Sequence, residues 1–268
     1  MVLAAGRGER MRPLTDTRPK PLLQVRGHPL LWYPLQALAQ AGVPATVINT
    51  GWLGGQIEPA FGTHFHSPKA DSHPMHLLYS HEGRGAGEAL ETAGGIVRAL
   101  PRLDKVCWAA AGDVFVPDFV FSTDVYDSFI ANEALAHIWL VPNPAHNPNG
   151  DFGLSAVGLA LNLPKSSPSS SDAARSAQPE LNSFAGLGDK PALQTTPSLY
   201  TFSTIALYKR AFFEADWCDI PAGNPQGIKA PLAPMLRAAM DRGLVSASLY
   251  EGLWVDVGTP ERLALLNQ

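Results

Sequence analysis

The first 21 residues hold the feature that most restricts the fold. A short apolar run at residues 1–5 ends in small side chains and passes directly into a loop that contains Gly6 and Gly8. Glycine has no Cβ, so backbone amides in such a loop can approach an anionic group closely. The segment therefore predicts a buried strand that carries a phosphate-binding loop at its end.

Two cations accompany this loop. Arg10 stands within it, and Lys20 lies between Pro19 and Pro21, whose rings fix the backbone on both sides. A lysine held in this way can present its ammonium to a phosphate as a point charge. Two better-known glycine motifs are excluded, because a dinucleotide fingerprint needs a third glycine where Met11 stands and no Gly-Lys-Ser/Thr follows.

The order of predicted elements indicates an α/β protein with a Rossmann-like, doubly wound sheet that is mixed but mostly parallel. The strand at 1–5, a helix at 30–40 and a strand at 45–49 give the order β, helix, β. We predict a turn at 27–29 and a loop at 62–75. Further strands are predicted at 22–25, 76–79, 105–111, 199–208 and 245–250, and helices at 91–100, 210–215, 232–241 and from residue 261 onward.

Two aspartates follow predicted strands. Asp113 comes after the buried run 105–111, and Asp256 lies in the segment 254–260. Ligands of open α/β sheets bind at the carboxyl ends of the strands. Each aspartate alone could cap a turn, whereas the pair suits one Mg²⁺, which takes few protein carboxylates and completes its shell with waters and substrate phosphates.

Length and charge restrict the class of protein. The 268 residues predict one domain over 1–268, with a flexible insertion at 164–197 that is rich in serine and proline. A net charge of −4 argues against a nucleic-acid partner. Two cysteines are too few for a disulfide framework, and no apolar run reaches membrane-spanning length, so we expect a cytoplasmic protein. The sequence carries no signal for the oligomeric state.

The loop has a family resemblance. The pattern G-x-G-x-R-M-x-P-L-T at residues 6–15, followed by P-K-P at 19–21, resembles the sugar-1-phosphate nucleotidyltransferases. The stretch 90–96, of the form L-E-T-x-G-G, is similar to the base-and-ribose loop of the uridylyltransferases that act on N-acetylmuramate 1-phosphate. Segments 149–153, 200–203 and 254–263 also match that subgroup. A purely structural interpretation of 90–92 is a helix start capped by Thr92, which would also offer free amides to a ligand.

The resemblance implies an enzyme that joins UTP to a sugar 1-phosphate, releases pyrophosphate and uses Mg²⁺. It implies that Arg10 neutralises the departing pyrophosphate and that Lys20 neutralises the charge on the α-phosphate. It further assigns nucleotide binding to Leu3, Ala4, Ala5, Gly6, Gly8, Glu91, Thr92 and Gly94, sugar binding to Asn149, Gly150, Asp151, Gly153, Ser203 and Lys229, and the metal to Asp113 and Asp256.

Two alternatives remain open at this point. One is a thymidylyl- or guanylyltransferase for a hexose 1-phosphate such as that of glucose or mannose. The other is a non-catalytic regulatory protein that binds a nucleotide sugar. The presence of Arg10, Lys20, Asp113 and Asp256 together argues against the second.

Overall fold

The computed structural model describes residues 1–68, 74–83, 89–164 and 198–268. The predicted insertion at 164–197 therefore lies outside the described residues, apart from Pro164. Within the described residues, no helix is both long and apolar enough to cross a membrane.

The described residues form the following elements. The strands are β1 (Val2–Ala4), β2 (Gln24–Val25), β3 (His28–Pro29), β4 (Ala45–Thr50), β5 (His64–Phe65), β6 (Met75–His81), β7 (Val106–Ala111), β8 (Val114–Phe115), β9 (Ala136–Val141), β10 (Phe152–Leu154), β11 (Ala160–Leu161), β12 (Leu199–Lys209), β13 (Val245–Leu249) and β14 (Val255–Asp256). The α-helices are α1 (Trp32–Gln40), α2 (Ile57–Phe61), α3 (Glu91–Ala99), α4 (Thr123–Ala131), α5 (Leu232–Asp241) and α6 (Pro260–Leu266). Single 3₁₀ turns occupy Glu9–Met11, Lys20–Leu22, Gly54–Gln56, Leu100–Arg102 and Arg210–Phe213.

One mixed sheet organises the molecule. Its order is β11-β10-β12-β7-β1-β4-β6-β5, and β9 pairs with β12 while β13 pairs with β9. The central strands β7, β1, β4 and β6 are parallel, and β12 runs antiparallel to β7. The predicted α/β fold with a Rossmann-like sheet is confirmed. The parallel centre brings the carboxyl ends of β1, β4 and β7 to the same edge.

Both faces of the sheet are covered. Val47 and Ile48 are consecutive in β4 but pack into different apolar clusters, because successive strand residues point to opposite faces. One cluster contains residues of α3 and α5, and the other contains residues of α1 and α4. A third cluster includes Met11, Leu30 and Phe115, so it packs the residue that follows Arg10 against β8 and the segment before α1.

Several predicted elements differ from the observed ones. The turn predicted at 27–29 lies at Arg26 and Gly27, which have φ of 47° and 85°, and it joins β2 to β3. The first part of the strand predicted at 22–25 belongs to the 3₁₀ turn Lys20–Leu22, and the helix predicted at 210–215 is one 3₁₀ turn. The loop predicted at 62–75 contains β5, which pairs with the start of β6.

Candidate active site

A cleft of about 720 Å³ opens at the carboxyl edge of the parallel strands. It lies above a sheet floor to which β7 contributes only small side chains, Ala109 and Ala111. Ten of the residues singled out from the sequence line it, namely Leu3, Ala4, Ala5, Gly6, Gly8, Arg10, Lys20, Glu91, Thr92 and Asp113. The structure thus brings the glycine loop, both predicted catalytic cations and the 90–92 turn to one cavity.

The two glycines of the loop lie in different surroundings. Gly8 adopts a φ of +67°, and a Cβ there would lie 3.1 Å from Thr15 Cγ2 and 3.2 Å from Lys20 Cβ. Its carbonyl accepts hydrogen bonds of 2.9 Å from the Met11 amide and the Thr15 hydroxyl. A Cβ on Gly6 would meet no atom within 4 Å, so this position leaves open space for a ligand.

Arg7 fastens the loop to the body of the protein. Its guanidinium stacks 3.8 Å above the Trp52 ring and donates a hydrogen bond of 2.9 Å to the Thr15 carbonyl. Trp52 Nε1 donates to the same carbonyl at 2.9 Å, and Arg7 also pairs with Asp16 at 3.0 Å. Because its charge is engaged in these contacts, Arg7 holds the loop in place. Arg10 is then the loop arginine that can meet a ligand.

Lys20 lies between the two predicted metal ligands. Its side chain is only 8% exposed, and Nζ lies 2.7 Å from Asp113 Oδ2 and 3.8 Å from Asp256 Oδ1. The preceding Pro19 is extended, with φ −65° and ψ 143°, and Lys20 starts the 3₁₀ turn, so the backbone aims the side chain inward. The carboxylates of Asp256, in β14, and of Asp113, just after β7, therefore converge on the ammonium group of Lys20.

Asp256 is oriented by a second set of contacts. Arg262 NH1 donates to the Asp256 carbonyl at 2.9 Å and to Oδ2 at 3.0 Å. His146 Nε2 lies 3.4 Å from Oδ2, and Arg10 NH2 lies 3.9 Å from it. Burial, followed by the nearby Arg262 charge, lowers the pKa of His146 and favours its neutral ring. The Arg10 side chain is 67% exposed and can reach a ligand.

The donor set fits a hard divalent cation. Two carboxylates face a common point, and magnesium prefers a few such oxygens together with waters and phosphates. Among the described residues, no group of three or more His, Cys, Asp or Glu side chains could hold a metal. Asp113 and Asp256 could supply two carboxylate ligands, completed by substrate oxygens, and a metal at this place stays a prediction.

The opposite wall of the cleft is held by a buried carboxylate. Glu82 is 7% exposed and accepts a hydrogen bond of 2.8 Å from the Leu90 amide. Asn49 Nδ2 donates to the other oxygen of Glu82, and Asn49 Oδ1 accepts from the Ala4 amide at 2.7 Å. Burial raises the pKa of Glu82. Sequence reasoning found neither Glu82 nor Asn49, because nothing local marks either as a site residue.

Helix α3 does not start with the Thr92 cap that the purely structural interpretation of residues 90–92 predicted. Leu90 stands at its N-cap without a side-chain hydrogen bond, so Thr92 does not cap the helix. Gly94 is not among the residues that line the cleft. Its amide donates to the Ala230 carbonyl at 3.1 Å, and a Cβ there would lie 2.7 Å from the Ile228 carbonyl oxygen. The structure therefore gives Gly94 a packing role, and a nucleotide contact there stays a prediction.

None of the predicted sugar residues is among the described residues that line the cleft. The wall itself is lined by Phe152, Phe202 and Thr204. The neighbouring positions bond within the protein: Asp151 Oδ2 accepts from the Phe202 amide at 3.1 Å, and the Ser203 hydroxyl accepts from the Ile205 amide at 3.2 Å.

The other predicted sugar residues also lie outside the cleft lining. Gly150, with φ +62°, packs against the Leu199 backbone, and a Cβ on Gly153 would lie 2.6 Å from Leu163 Cδ1. Asn149 and Lys229 are exposed. Direct sugar contacts by these side chains stay a prediction.

Comparisons with known proteins agree with this geometry. The chain matches the family model described as nucleotidyl transferase over residues 1–268. It is 42% identical to the N-acetylmuramate alpha-1-phosphate uridylyltransferase of Neisseria meningitidis serogroup B, over 98% of this chain and 94% of that protein. It is 30% identical to the protein of the same name from Caulobacter vibrioides, over 97% and 92% of the two chains. The solved structure of the inositol-1-phosphate CTP transferase from T. maritima has the same fold, with a TM-score of 0.63 at 16% identity over 99% of this chain and 93% of that one.

Proposed function

The chain belongs to the nucleotidyl transferase family, and we propose that it transfers the uridylyl group of UTP to N-acetylmuramate α-1-phosphate, forming a UDP-sugar and pyrophosphate. It is an enzyme of the nucleotidyltransferase type. The observation that carries the proposal is the convergence of Asp113 and Asp256 on Lys20, with Lys20 and Asp113 lining the same cleft as the glycine loop. The 42% identity over nearly the whole of both chains supports the choice of nucleotide and sugar.

The proposed reaction is one in-line displacement. A phosphate oxygen of the sugar 1-phosphate attacks the α-phosphorus of UTP, the bond from that phosphorus to the bridging oxygen breaks, and the electron pair leaves with pyrophosphate. The protein supplies position and charge, and no covalent enzyme intermediate is needed. A protein side chain therefore need not act as nucleophile.

The cations have distinct proposed tasks. Lys20 is buried and constrained, so its ammonium can stabilise charge that develops on the α-phosphate without moving. Arg10 is exposed at the mouth of the loop, and its guanidinium suits the departing pyrophosphate. A Cβ on Gly6 would meet no atom within 4 Å, so phosphate oxygens would have room to approach the backbone amides of the loop there.

Asp113 and Asp256 are the proposed ligands of Mg²⁺. When bound there, Mg²⁺ would neutralise phosphate oxygens and polarise the α-phosphate. Arg262 bonds to Oδ2 of Asp256, which leaves Oδ1 directed at Lys20 and the cleft. Asp113 shares Lys20 with Asp256, so the ammonium offsets part of the repulsion between the two carboxylates.

The remaining parts of the proposal concern context. The enzyme would act as a single domain over 1–268, with the segment 164–197 as an insertion. A muramate substrate would place it in the reuse of cell-wall sugars, and UTP as a substrate fits the cytoplasm. The alternatives are transfer of a thymidylyl or guanylyl group to a hexose 1-phosphate, and nucleotide-sugar binding without turnover.

A pyrophosphate-release assay tests the proposal. UTP, dTTP, GTP and CTP are each combined with the 1-phosphates of N-acetylmuramate, N-acetylglucosamine, glucose and mannose in the presence of Mg²⁺. We expect the pair of UTP and N-acetylmuramate 1-phosphate to have a kcat/KM at least about tenfold above every other pair. A higher value for another pair would replace the proposed substrates. Binding of a UDP-sugar without pyrophosphate release from any pair would favour the non-catalytic alternative.

A further inference from the structure

Glu82 is a buried carboxylate in the cleft wall to which the proposed mechanism gives no task. It lies just after β6, is 7% exposed, and both of its oxygens are engaged by the protein. A buried carboxylate is costly unless its oxygens are hydrogen-bonded. The two groups that bond it belong to different elements, since Asn49 lies in β4 and Leu90 at the start of α3, which makes the position of Glu82 informative.

One oxygen of Glu82 leads to the glycine loop. Asn49, at the carboxyl end of β4, donates to Glu82 Oε1 through Nδ2 and accepts the Ala4 amide through Oδ1 at 2.7 Å. Ala4 is the last residue of β1, two residues before Gly6. Asn49 is 3% exposed, so no water competes readily for these bonds. The end of the strand that carries the loop is therefore tied to Glu82 through one side chain.

The other oxygen leads to the turn at Leu90–Thr92. Glu82 Oε2 accepts the Leu90 amide at 2.8 Å, and the Leu90 carbonyl accepts the Ala230 amide at 3.0 Å. The next residue, Glu91, has a φ of +59° and lines the cleft. A non-glycine residue persists in this region only where its surroundings over-determine it. The two bonds on Leu90 provide that constraint.

The glycine of α3 that faces Glu82 completes the arrangement. A Cβ on Gly95 would lie 2.2 Å from Glu82 Oε1 and 2.9 Å from Asn49 Nδ2. Any larger side chain would displace the carboxylate. The close approach of α3 to Glu82 thus depends on glycine at this position.

We propose that Glu82 is a positioning residue that fixes the separation between the glycine loop and the Leu90–Thr92 turn. Through Asn49 it holds the phosphate side of the cleft, and through the Leu90 amide it holds the side expected to bind base and ribose. Both halves of a nucleotide are then met by a preformed wall. This inference rests on the proposed function for its nucleotide, and it is independent of which sugar is used.

An exchange of acceptor and donor tests the inference. In Glu82→Gln, the oxygen of the new side chain can accept from only one of the two donors, so its NH₂ group must face the other donor, either the Asn49 NH₂ group or the Leu90 amide. If Asn49 turns to relieve it, its NH₂ group then faces the Ala4 amide. The double variant Glu82→Gln with Asn49→Asp restores all three bonds, because the carboxylate introduced at position 49 would accept both the Ala4 amide and the NH₂ group introduced at position 82. Glu133→Gln changes an exposed glutamate and serves as the control.

The readouts are the KM for UTP, kcat, and hydrogen exchange at the amides of Ala4 and Leu90. We expect Glu82→Gln to raise KM about tenfold or more, with a smaller change in kcat, and to speed exchange at one or both amides. The double variant should recover to within about threefold of the wild type. If Glu82→Gln does not fold, Gly95→Ala replaces it, because the new Cβ displaces the same carboxylate.

Two results would overturn the inference: KM and both exchange rates within about twofold of wild type in Glu82→Gln, or no recovery in a folded double variant. Failure of the proposed function is distinguishable. If the wild type does not use UTP, the proposed reaction fails, and exchange at Ala4 and Leu90 still decides whether Glu82 joins the two walls.

Discussion

The buried imidazole of His137 should make the stability of this protein fall as the solution is acidified. His137 lies in β9, is 9% exposed and packs against Trp139 at 4.4 Å between ring centroids. Its Nδ1 lies 2.8 Å from the Ser246 hydroxyl and its Nε2 lies 3.1 Å from the Ser248 hydroxyl. Burial lowers the pKa of His137 from 6.5 to about 4. Two hydroxyls satisfy the neutral ring but supply no negative charge for the protonated one.

The sign and size follow from proton linkage. The unfolded chain binds this proton near pH 6.5 and the folded chain only near pH 4, so His137 contributes stability above pH 6.5 and loses it as the pH falls toward 4. Protonation of His137 lowers the free energy of unfolding by about 3 kcal/mol in total, and about 2 kcal/mol of this is lost between pH 7 and pH 5. For a chain of this size, that corresponds to a fall in Tm of roughly 4–8 °C.

The assay compares Tm by circular dichroism at pH 7, 6 and 5. In His137→Gln, a side chain of similar polarity cannot titrate, so its Tm should fall less over this range than that of the wild type, by roughly 4–8 °C. His66→Gln replaces an exposed histidine and should follow the wild type. A difference in Tm between His137→Gln and the wild type at pH 7 does not affect the test, because only the change of Tm with pH is compared. Equal slopes for the wild type and His137→Gln, within about 1 °C, would refute the reasoning.

Three further predictions concern the cleft. Asp113→Asn and Asp256→Asn should each lower kcat at least about 100-fold in the pyrophosphate-release assay, even at saturating Mg²⁺, and near-normal rates would remove them as metal ligands. Lys20→Ala should lower kcat by about 100-fold or more and raise the KM for UTP much less, whereas the reverse pattern would make it a binding residue. Gly6→Ala should leave Tm within about 1 °C but weaken UTP binding measured by calorimetry, while Gly8→Ala should lower Tm by several degrees, because only the second meets Thr15 and Lys20.

The parts of the fold that were predicted from sequence are those with strong local signals. The helix at 232–241 was predicted with the bounds that the structure has, because an apolar stripe runs along it and Gly243, with φ +70°, ends it. The strands β1, β4 and β7 were predicted within one or two residues because they are buried on both faces. Their parallel order followed from the intervening helix.

Helix α4 and the fully buried strand β9 were missed although the sequence carries local signals for both, whereas β10 and β11 depend on distant partners. Helix α4 was missed although Ser122 caps it, its hydroxyl accepting the Val125 amide at 3.4 Å. Strands β10 and β11 are three and two residues long, and they exist because β10 pairs with β12 on one side and with β11 on the other. Pairing of this kind is set by tertiary contacts and leaves little pattern in the sequence.

The residues of the site also fall into those with a local sequence signal and those that depend on distant partners. Arg10 and Lys20 are marked by the loop and the prolines around them, so the sequence identifies them. Glu82 and Asn49 are 33 residues apart, and His146 meets Arg262 across 116 residues. A single sequence does not reveal such pairs. Arg262 alone had a signal, since it lies in the matched stretch 254–263.

The glycines show why a motif alone does not fix the role of each of its residues. A glycine signals that something approaches the backbone closely, but it does not say what. At Gly6 a Cβ would meet no described atom within 4 Å, and a bound phosphate is the reason that we propose for this glycine. At Gly94 the neighbour is the Ile228 carbonyl, and at Gly95 it is the Glu82 carboxylate. The L-E-T-x-G-G pattern therefore coincides with the cleft wall at Glu91 and Thr92, and its glycines let α3 pack against the groups that hold that wall, while a nucleotide contact there stays a prediction.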